Sequence, residues 1–419
     1  MPTIQSVSAR EILDSRGNPT VETTVSLSDG SIGIASCPSG ASTGLHEAVE
    51  LRDNDQNHYM GKGVRKTVQN IETIIAPKLI GKNSNNQKDI DDIILSLDTS
   101  ANKATLGANA TLPVSMAVCR TQAISEKLPL FKYIQKIAPT PFVTRIPTPL
   151  FNILNGGKHA GGNIDFQEFI VIPSQLVSFA QALEQGTIVY MGLKKLLEDK
   201  HLSTLVGDEG GFGPTLSTNE EALSMVKQAI ELAGFAFGKD MFVGLDVASG
   251  SFFKDGKYIT KEKPEGAIPQ ELIELYKALQ KNYPLFYLED PLSEDDWDNW
   301  TQLVVAFTDQ QTIITGDDLL VTNPNRLQMA IDKKAATGII IKPNQIGTVS
   351  ETLTVVKLAK QNNIKTIVSH RSGETNDDFI ADFAVGVNAD FVKFGAPTRG
   401  ERVAKYNRLL HIEEELNKT

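Results

Sequence analysis

FVGLD at 242–246, LFYLED at 285–290, IITGDD at 313–318 and GIIIK at 338–342 are short apolar runs that end in charge. A buried strand has no intrinsic reason to end in a charge. Strands of a parallel barrel do, because their carboxyl ends build one shared site. Four further runs carry a polar group in the same way: FNILN at 151–155, QEFIVIP at 167–173, TIVSHRS at 366–372 and DFVKFG at 390–395. The sequence therefore predicts an eight-stranded (β/α) barrel, of the α/β class, with its site at one end.

A smaller α+β domain precedes this barrel. Residues 1–136 open with three strand-like segments and continue with helical patterns, whereas strand and helix alternate in residues 137–419. The stretch PTPFVTRIPTPL, Pro139–Leu150, holds four prolines and cannot be helical. We expect it to cross between a domain at 1–136 and a barrel at 137–419.

Composition narrows the class of partner. The 419 residues carry a formal net charge of −10, which argues against nucleic acid or an anionic membrane as the main partner. No apolar stretch is long enough to span a bilayer, and the first residues lack the apolar core of a signal peptide. With only Cys37 and Cys119 present, a reduced, cytoplasmic location is expected.

Two apolar runs need separate interpretation. STLVGDEGGFGP, residues 203–214, would be a ninth strand, but its glycine-rich end favours a loop that places Glu209 over the barrel mouth. In QEFIVIP the charge comes before the apolar run. If that strand runs antiparallel to the others, Glu168 joins the remaining groups at the catalytic end.

Three carboxylates end successive strands: Asp246, Glu289 and Asp317. Brought together they would repel one another unless a cation lay between them, and ligation by oxygen alone suits magnesium. Each could instead cap the helix that follows its strand. For one carboxylate alone, capping and metal binding are equally good explanations, whereas three in succession favour a metal.

Cations and further carboxyl groups complete the candidate site. Opposite a bound metal, Lys342, Lys393 and Arg371 would form a site for an anion, and a lysine near a metal and another cation would have a lowered pKa and act as a base. Lys342 could instead merely pair with a structural carboxylate, which for a lone lysine is the better interpretation. Glu168 and Glu209 offer a carboxylic acid facing that base. His159 and Ser42 lie in small-residue loops, where each could equally be a turn residue. This set suits removal of a proton beside a carboxylate.

The chain resembles the enolase family along its whole length. The resemblance is carried by twelve segments in order: DSRGNPTVE, PSGASTG, EAVELRD, GKGV, NGGKHAGG, QEF, GDEGGF, EDPLSEDDWDNW, GDDLLVTNP, IKPNQIGT, SHRSGET and HIEEEL. It implies a barrel of ββαα(βα)6 type whose second strand is antiparallel. It also implies a magnesium-dependent lyase, a phosphopyruvate hydratase that reversibly dehydrates 2-phospho-D-glycerate to phosphoenolpyruvate in glycolysis and gluconeogenesis. A lysine or histidine base with one or two magnesium ions is known for this superfamily, and the resemblance implies the same for this chain.

The resemblance also implies a role for each site residue. Lys342 would be the base at C2 and Glu209 the acid at C3, with Glu168 and His159 assisting. Asp246, Glu289 and Asp317 would hold a first Mg²⁺, and Ser42 would ligate a second beside the phosphate. The substrate-binding residues would be Gln167, His159, Lys342, His370, Arg371, Ser372, Lys393 and Ser42.

Some positions depart from the family pattern, among them Pro343 after Lys342, Phe394 after Lys393 and Pro113 in the N-terminal domain. The family's usual Ala-Ala-Ser-Glu-Phe after Asp246 is replaced by the segment 247–252, VASGSF, which lacks the glutamate. His411 stands where an arginine commonly pairs with the residue matching Glu22 across a dimer interface, so we expect a homodimer or higher homo-oligomer that weakens as pH rises.

Rival functions stay open at this point. They are an acid-sugar dehydratase or racemase of the same superfamily, and a low-activity enolase paralogue with a binding role, including a cell-surface or secreted pool. The enolase segments SHRSGET and GDEGGF argue against the first, and intact catalytic residues argue against the second.

Overall fold

The computed structural model describes residues 1–40, 44–138 and 144–418. The chain begins with an antiparallel sheet in the order β1-β2-β3. Its strands are β1 Ile4–Leu13, β2 Pro19–Leu27 and β3 Ile32–Ser36. The three strands predicted from the sequence are confirmed, because alternating apolar residues such as Val21 and Val25 face one buried layer.

Helices cover this sheet. They are α1 Arg65–Asn70, α2 Ala76–Leu79, α3 Gln87–Ser96, α4 Ala108–Ser125 and α5 Leu130–Ile137. A π-helical stretch, Ile71–Ile75, joins α1 to α2 without a break, in agreement with the helical pattern of this part of the sequence. Helix α5 was not predicted from the sequence. Helix α4 is buried on nearly every side between the sheet and the barrel, and Pro113 lies inside it.

The second sheet closes into the predicted barrel. Its order is β4-β14-β13-β12-β11-β10-β7-β6-β5. The bounds are β4 Thr148–Pro149, β5 Phe151–Asn155, β6 Glu168–Pro173, β7 Met241–Asp246, β10 Leu285–Glu289, β11 Ile313–Gly316, β12 Gly338–Ile341, β13 Lys365–Ser369 and β14 Phe391–Lys393. Only Leu150 separates β4, which pairs with β14, from β5, which pairs with β6. Together β4 and β5 act as one strand, so the barrel has eight.

Strand β6 is antiparallel to both neighbours, while the other pairings of the barrel are parallel. The register places Glu168, the first residue of β6, opposite Asp246, the last residue of β7. Glu168 therefore lies at the catalytic end of the barrel. The prediction made from the position of its charge is confirmed.

Helices surround the barrel, as the alternation of patterns predicted. They are α6 Phe179–Asp199, α7 Asn219–Leu232, α8 Pro269–Asn282, α9 Trp297–Ala306, α10 Pro324–Lys333, α11 Pro343–Ile346, α12 Val349–Gln361, α13 Phe379–Gly386 and α14 Gly400–Asn417. A small hairpin, β8 Phe253–Lys254 with β9 Lys257–Tyr258, follows β7. None of the described helices has both the length and the apolar character needed to cross a membrane.

The proline-rich stretch at 139–150 is only partly a connection. Residues 139–143 lie outside the described residues, and Thr148–Leu150 already belong to the barrel, where the Leu150 amide donates to the Val392 carbonyl at 2.8 Å. Proline fits there because β4 pairs on one side only. The division between 136 and 137 stays a prediction, and α5 ends at Ile137.

Residues 203–214 form a loop between α6 and α7, as expected, and add no strand to the barrel. Cys37 and Cys119 are buried free thiols. Glu22 accepts a hydrogen bond from Arg10 of the same chain at 2.7 Å. The pairing of Glu22 with His411 across an interface stays a prediction.

Candidate active site

The site side chains are placed by strand ends. Asp246, Glu289 and Lys393 are the last residues of β7, β10 and β14, and Lys342 and His370 directly follow β12 and β13. In the register, Asp246 lies beside Glu289, since β7 and β10 are neighbouring parallel strands. Parallel strands bring their carboxyl ends to one edge, which gathers these groups.

One cavity of about 300 Å³ collects the predicted residues. The cavity is lined by His159, Gln167, Glu168, Glu209, Asp246, Asp317, Lys342, Ser369, His370, Arg371, Ser372 and Lys393. All but Ser369 were predicted from the sequence. Glu289 is connected to this cavity through Lys393, and Ser42 lies outside the described residues.

Lys393 is the centre of a buried charge cluster. Its Nζ lies 2.7 Å from Glu289 Oε2, 3.0 Å from Asp246 Oδ2 and 3.1 Å from Glu168 Oε2. Burial opposes its charge, but the three carboxylates outweigh burial and raise the pKa of Lys393 well above its usual value. Burial and the neighbouring Asp246 raise the pKa of Glu289 to about 8.

Lys342 forms an ion pair with Asp317, whose other oxygen accepts from Gln345 Nε2 at 2.8 Å. Burial favours the neutral amine, but the Asp317 carboxylate outweighs it, and the pKa of Lys342 is raised. The lowered pKa expected for Lys342 beside a bound metal and a second cation stays a prediction. The raised pKa belongs to the arrangement in which the Asp317 carboxylate pairs with the amine.

Two buried carboxyl groups flank His159. The imidazole Nδ1 lies 3.5 Å from Glu168 Oε1, and Nε2 lies 3.7 Å from Glu209 Oε1. Burial and the nearby Glu209 charge raise the pKa of Glu168 well above its usual value. Burial also raises the pKa of Glu209. The effect of His159 and His370 is larger, and it holds the pKa of Glu209 well below the usual range. The pKa values of the two carboxyl groups are thus shifted in opposite directions, although both groups are buried.

Arg371 is oriented by the N-terminal domain. Glu47 Oε2 accepts from its Nη1 at 2.9 Å, and Asn344 Oδ1 accepts from the same nitrogen at 3.0 Å. Glu47 Oε1 also accepts from the Gly44 amide at 2.9 Å. Removing one partner of such a buried pair costs about 3–5 kcal/mol. Gly44 of the N-terminal domain is thereby linked through Glu47 to Arg371 of the barrel.

A second cavity, of about 840 Å³, adjoins the first, since both are lined by Gln167, Asp246 and Asp317. This second cavity is also lined by Asp290, Asp318 and Glu294. Three groups of residues within the described ranges bring acidic or imidazole ligand atoms within 4.8 Å of one another: Glu11, Asp53 and His58; His159, Glu168 and Glu209; and Asp290, Asp317 and Asp318.

The site can hold a divalent cation. Asp246, Glu289 and Asp317 are not themselves one of those close groups, because Lys393 and Lys342 lie against their carboxylates. Glu289 Oε1 is buried and has no hydrogen-bond partner among the described residues. An all-oxygen donor set with an unmet buried oxygen fits a hard cation such as Mg²⁺.

Several contacts of the site were missed in the sequence. Asn152 Nδ2 donates to Glu209 Oε2 at 3.0 Å, and Glu47 and Gln345 hold Arg371 and Asp317. The sequence does contain a hint of the position of Asn152. This residue follows Leu150 by two positions, alternate residues of a strand face the same side, and Leu150 packs in the barrel interior. Asn155, the polar residue that ends the FNILN run, is fully buried. Glu47 and Gln345 have no comparable signal, since their partners come from distant elements.

The departures from the family pattern are accommodated. A Cβ at Gly250 would lie 2.9 Å from Glu294 Oε2, so a side chain there would displace that carboxylate. Pro343 occupies the first turn of α11, where a proline costs no helical hydrogen bond. Phe394 is fully buried and packs against Tyr406, with ring centroids 5.9 Å apart. None of the three displaces a group that lines the cavity.

A barrel with a lysine, paired buried carboxyl groups and carboxylates able to hold a cation defines a lyase that works by acid–base chemistry. The family model described as enolase, C-terminal TIM barrel domain, matches residues 143–419, and that of the enolase N-terminal domain matches residues 4–134. The chain belongs to the enolase family and is a phosphopyruvate hydratase.

Curated relatives agree along nearly the whole chain. A protein named enolase from Bdellovibrio bacteriovorus is 50% identical over 417 residues, covering 99% of this chain and 97% of the relative. Enolase from Beutenbergia cavernae is 50% identical over 416 residues, with 99% and 96% covered. Enolase from Acidothermus cellulolyticus is 50% identical over 417 residues, with 100% and 95% covered.

Proposed function

We propose that this cavity interconverts 2-phospho-D-glycerate with phosphoenolpyruvate and water, with Lys342 as base and Glu209 as acid. The observation that carries the proposal is that the lysine and the carboxyl groups around His159 lie on opposite sides of the barrel. Glu168 begins β6 and Lys342 follows β12, four strands apart in an eight-stranded barrel. A substrate between them meets an amine on one side and a carboxyl group on the other, as loss of a proton and a hydroxyl requires.

Lys342 takes the proton from C2 of the substrate. For this step the amine must be neutral, so its ion pair with Asp317 has to weaken. Burial of the amine favours the neutral form once that carboxylate has another partner. Asp317 stays oriented by Gln345, whose amide donates to Oδ1.

Glu209 gives a proton to the departing C3 hydroxyl. Burial and the Glu209 charge favour the protonated form of Glu168, and His159 lies between the two carboxyl groups. Small movements of these side chains pass the proton from Glu168 through His159 to Glu209. Asn152 keeps Glu209 oriented toward the cavity.

Positive charge recognises the substrate anions. Arg371 and Ser372 bind the phosphate, with His159 and Ser42 completing that side, and Lys393 and Gln167 face the carboxylate. His370 is a neutral neighbour of Glu209, because burial lowers its pKa to about 3. Proton removal beside a carboxylate builds a second negative charge, which only concentrated positive charge stabilises.

The proposal includes two Mg²⁺ ions in each site. Asp246, Glu289 and Asp317 would hold the first, and Ser42 would contribute to the second. Bound Mg²⁺ supplies charge that stabilises the enediolate. The family resemblance further supports a homo-oligomer in the cytoplasm, and a cell-surface pool remains a separate proposal. No described feature favours the low-activity alternative.

Replacing Glu289 with glutamine tests the metal site. The change keeps the shape of the side chain and removes a charge, so we expect Mg²⁺ affinity to fall by about tenfold or more. Isothermal titration of Mg²⁺ without substrate measures this directly. Glu274→Gln, an exposed residue of α8, is the control. Equal Mg²⁺ affinity for both variants and the wild type would refute the assignment of Glu289.

A further inference from the structure

Arg402 is a fully buried cation next to the site. It lies in the first turn of α14 and was not among the residues predicted from the sequence. Its Nη1 donates to the Arg371 carbonyl at 2.6 Å, and its Nη2 donates to the Ser372 carbonyl at 2.7 Å and the Asp208 carbonyl at 3.1 Å. One guanidinium therefore joins the loop that carries Glu209 to the loop that carries Arg371 and Ser372.

Arg402 also contacts the imidazole of His370. Its Nη1 lies 2.8 Å from His370 Nδ1. A guanidinium has only donors, so Nδ1 must be the acceptor and therefore carries no proton. The proton of the neutral ring is then on Nε2, which lies 3.2 Å from Glu209 Oε2.

Ion pairing does not account for this burial. Glu401 Oε1 lies 3.5 Å from Arg402 Nε, yet the same oxygen accepts from Arg399 Nε at 3.0 Å. Taking a cation out of water is costly unless its donors are satisfied. Here backbone carbonyls and the imidazole accept from Nη1 and Nη2, whereas Nε has no hydrogen-bond partner among the described residues. Arg402 is therefore buried at a place where its contacts hold the two loops and the His370 ring together.

We propose that Arg402 is a positioning residue that fixes His370 in its Nε2–H form, with Nε2 beside Glu209, and holds the two loops of the site in register. The inference rests on the role proposed above for Glu209. Lysine cannot replace Arg402, because one ammonium group cannot reach four acceptors set in the planar geometry of a guanidinium.

Nitrogen-15 NMR of histidine-labelled protein tests this without any turnover. The chain has six histidines, and His370→Gln identifies the His370 signals by their loss. In the wild type we expect a protonated Nε2 and an unprotonated Nδ1. In Arg402→Lys we expect this single tautomer to be lost, with kcat falling about 10- to 100-fold and KM changing less. Added guanidinium should restore part of kcat to Arg402→Ala.

Arg408→Lys is the matched control. Arg408 lies on the same helix but donates to Asp382 at 2.7 Å instead of to the site loops. We expect its His370 signals and kcat to match the wild type. A protonated Nδ1 on His370 in the wild type would overturn the proposal, even if the variants failed to fold. So would an Arg402→Lys enzyme with lowered kcat and an unchanged His370 tautomer.

The two proposals fail separately. A wild type with the expected tautomer that does not dehydrate 2-phosphoglycerate would refute the proposed roles of Glu209 and Lys342 and leave the contact of Arg402 with His370 supported. An active wild type with a protonated Nδ1 would refute only the inference about Arg402.

Discussion

Lys342→Ala is expected to lower turnover of 2-phosphoglycerate by about 10²- to 10⁴-fold, the range for loss of a positioned general base. Lys393, the other lysine among the described residues that line this cavity, cannot replace it, because three carboxylates around its amine raise its pKa. Exchange of the C2 hydrogen with solvent should be lost together with product formation, because both need the base.

Lys281→Ala is the control, since this lysine is exposed at the end of α8. The Lys342 variant also leaves Asp317 buried without its cation, so its folding should be checked by thermal unfolding with Mg²⁺ present. A folded Lys342→Ala enzyme that keeps a tenth of wild-type turnover would show that another group removes the proton.

Glu209→Gln is the second substitution with a large expected effect. We expect dehydration to fall by about 10²- to 10³-fold, because an amide cannot give a proton to the leaving hydroxyl. Exchange of the C2 hydrogen should persist, since Lys342 is intact. Glutamine has nearly the same shape, and its carbonyl can still accept from Asn152, so the site should keep its geometry.

Exchange measured by NMR in deuterated buffer separates the two steps. Glu220→Gln, an exposed change in the first turn of α7, is the control. If Glu209→Gln lost C2 exchange as completely as Lys342→Ala, then Glu209 would act in binding or in proton removal, and its assignment to the leaving group would be wrong.

The apolar runs predicted the barrel because charge at a strand end conflicts with burial unless strand ends share a site. This reasoning gave Asp246, Glu289 and Lys342, and it gave the reversed direction of β6 from the position of Glu168. These predictions depend on order along one element, which a sequence displays directly.

Pairings between distant elements could not be predicted in the same way. Glu47 from the N-terminal domain meets Arg371, and Arg402 from the last helix meets His370. Such contacts depend on how separate elements pack.

The most direct test of the account is phosphoenolpyruvate formation by the purified wild type, followed by ultraviolet absorbance with Mg²⁺ and then with a chelator. The account predicts turnover of 2-phosphoglycerate with Mg²⁺, its loss on chelation, and its return when Mg²⁺ is added back. A folded protein that binds Mg²⁺ and forms no phosphoenolpyruvate would contradict it.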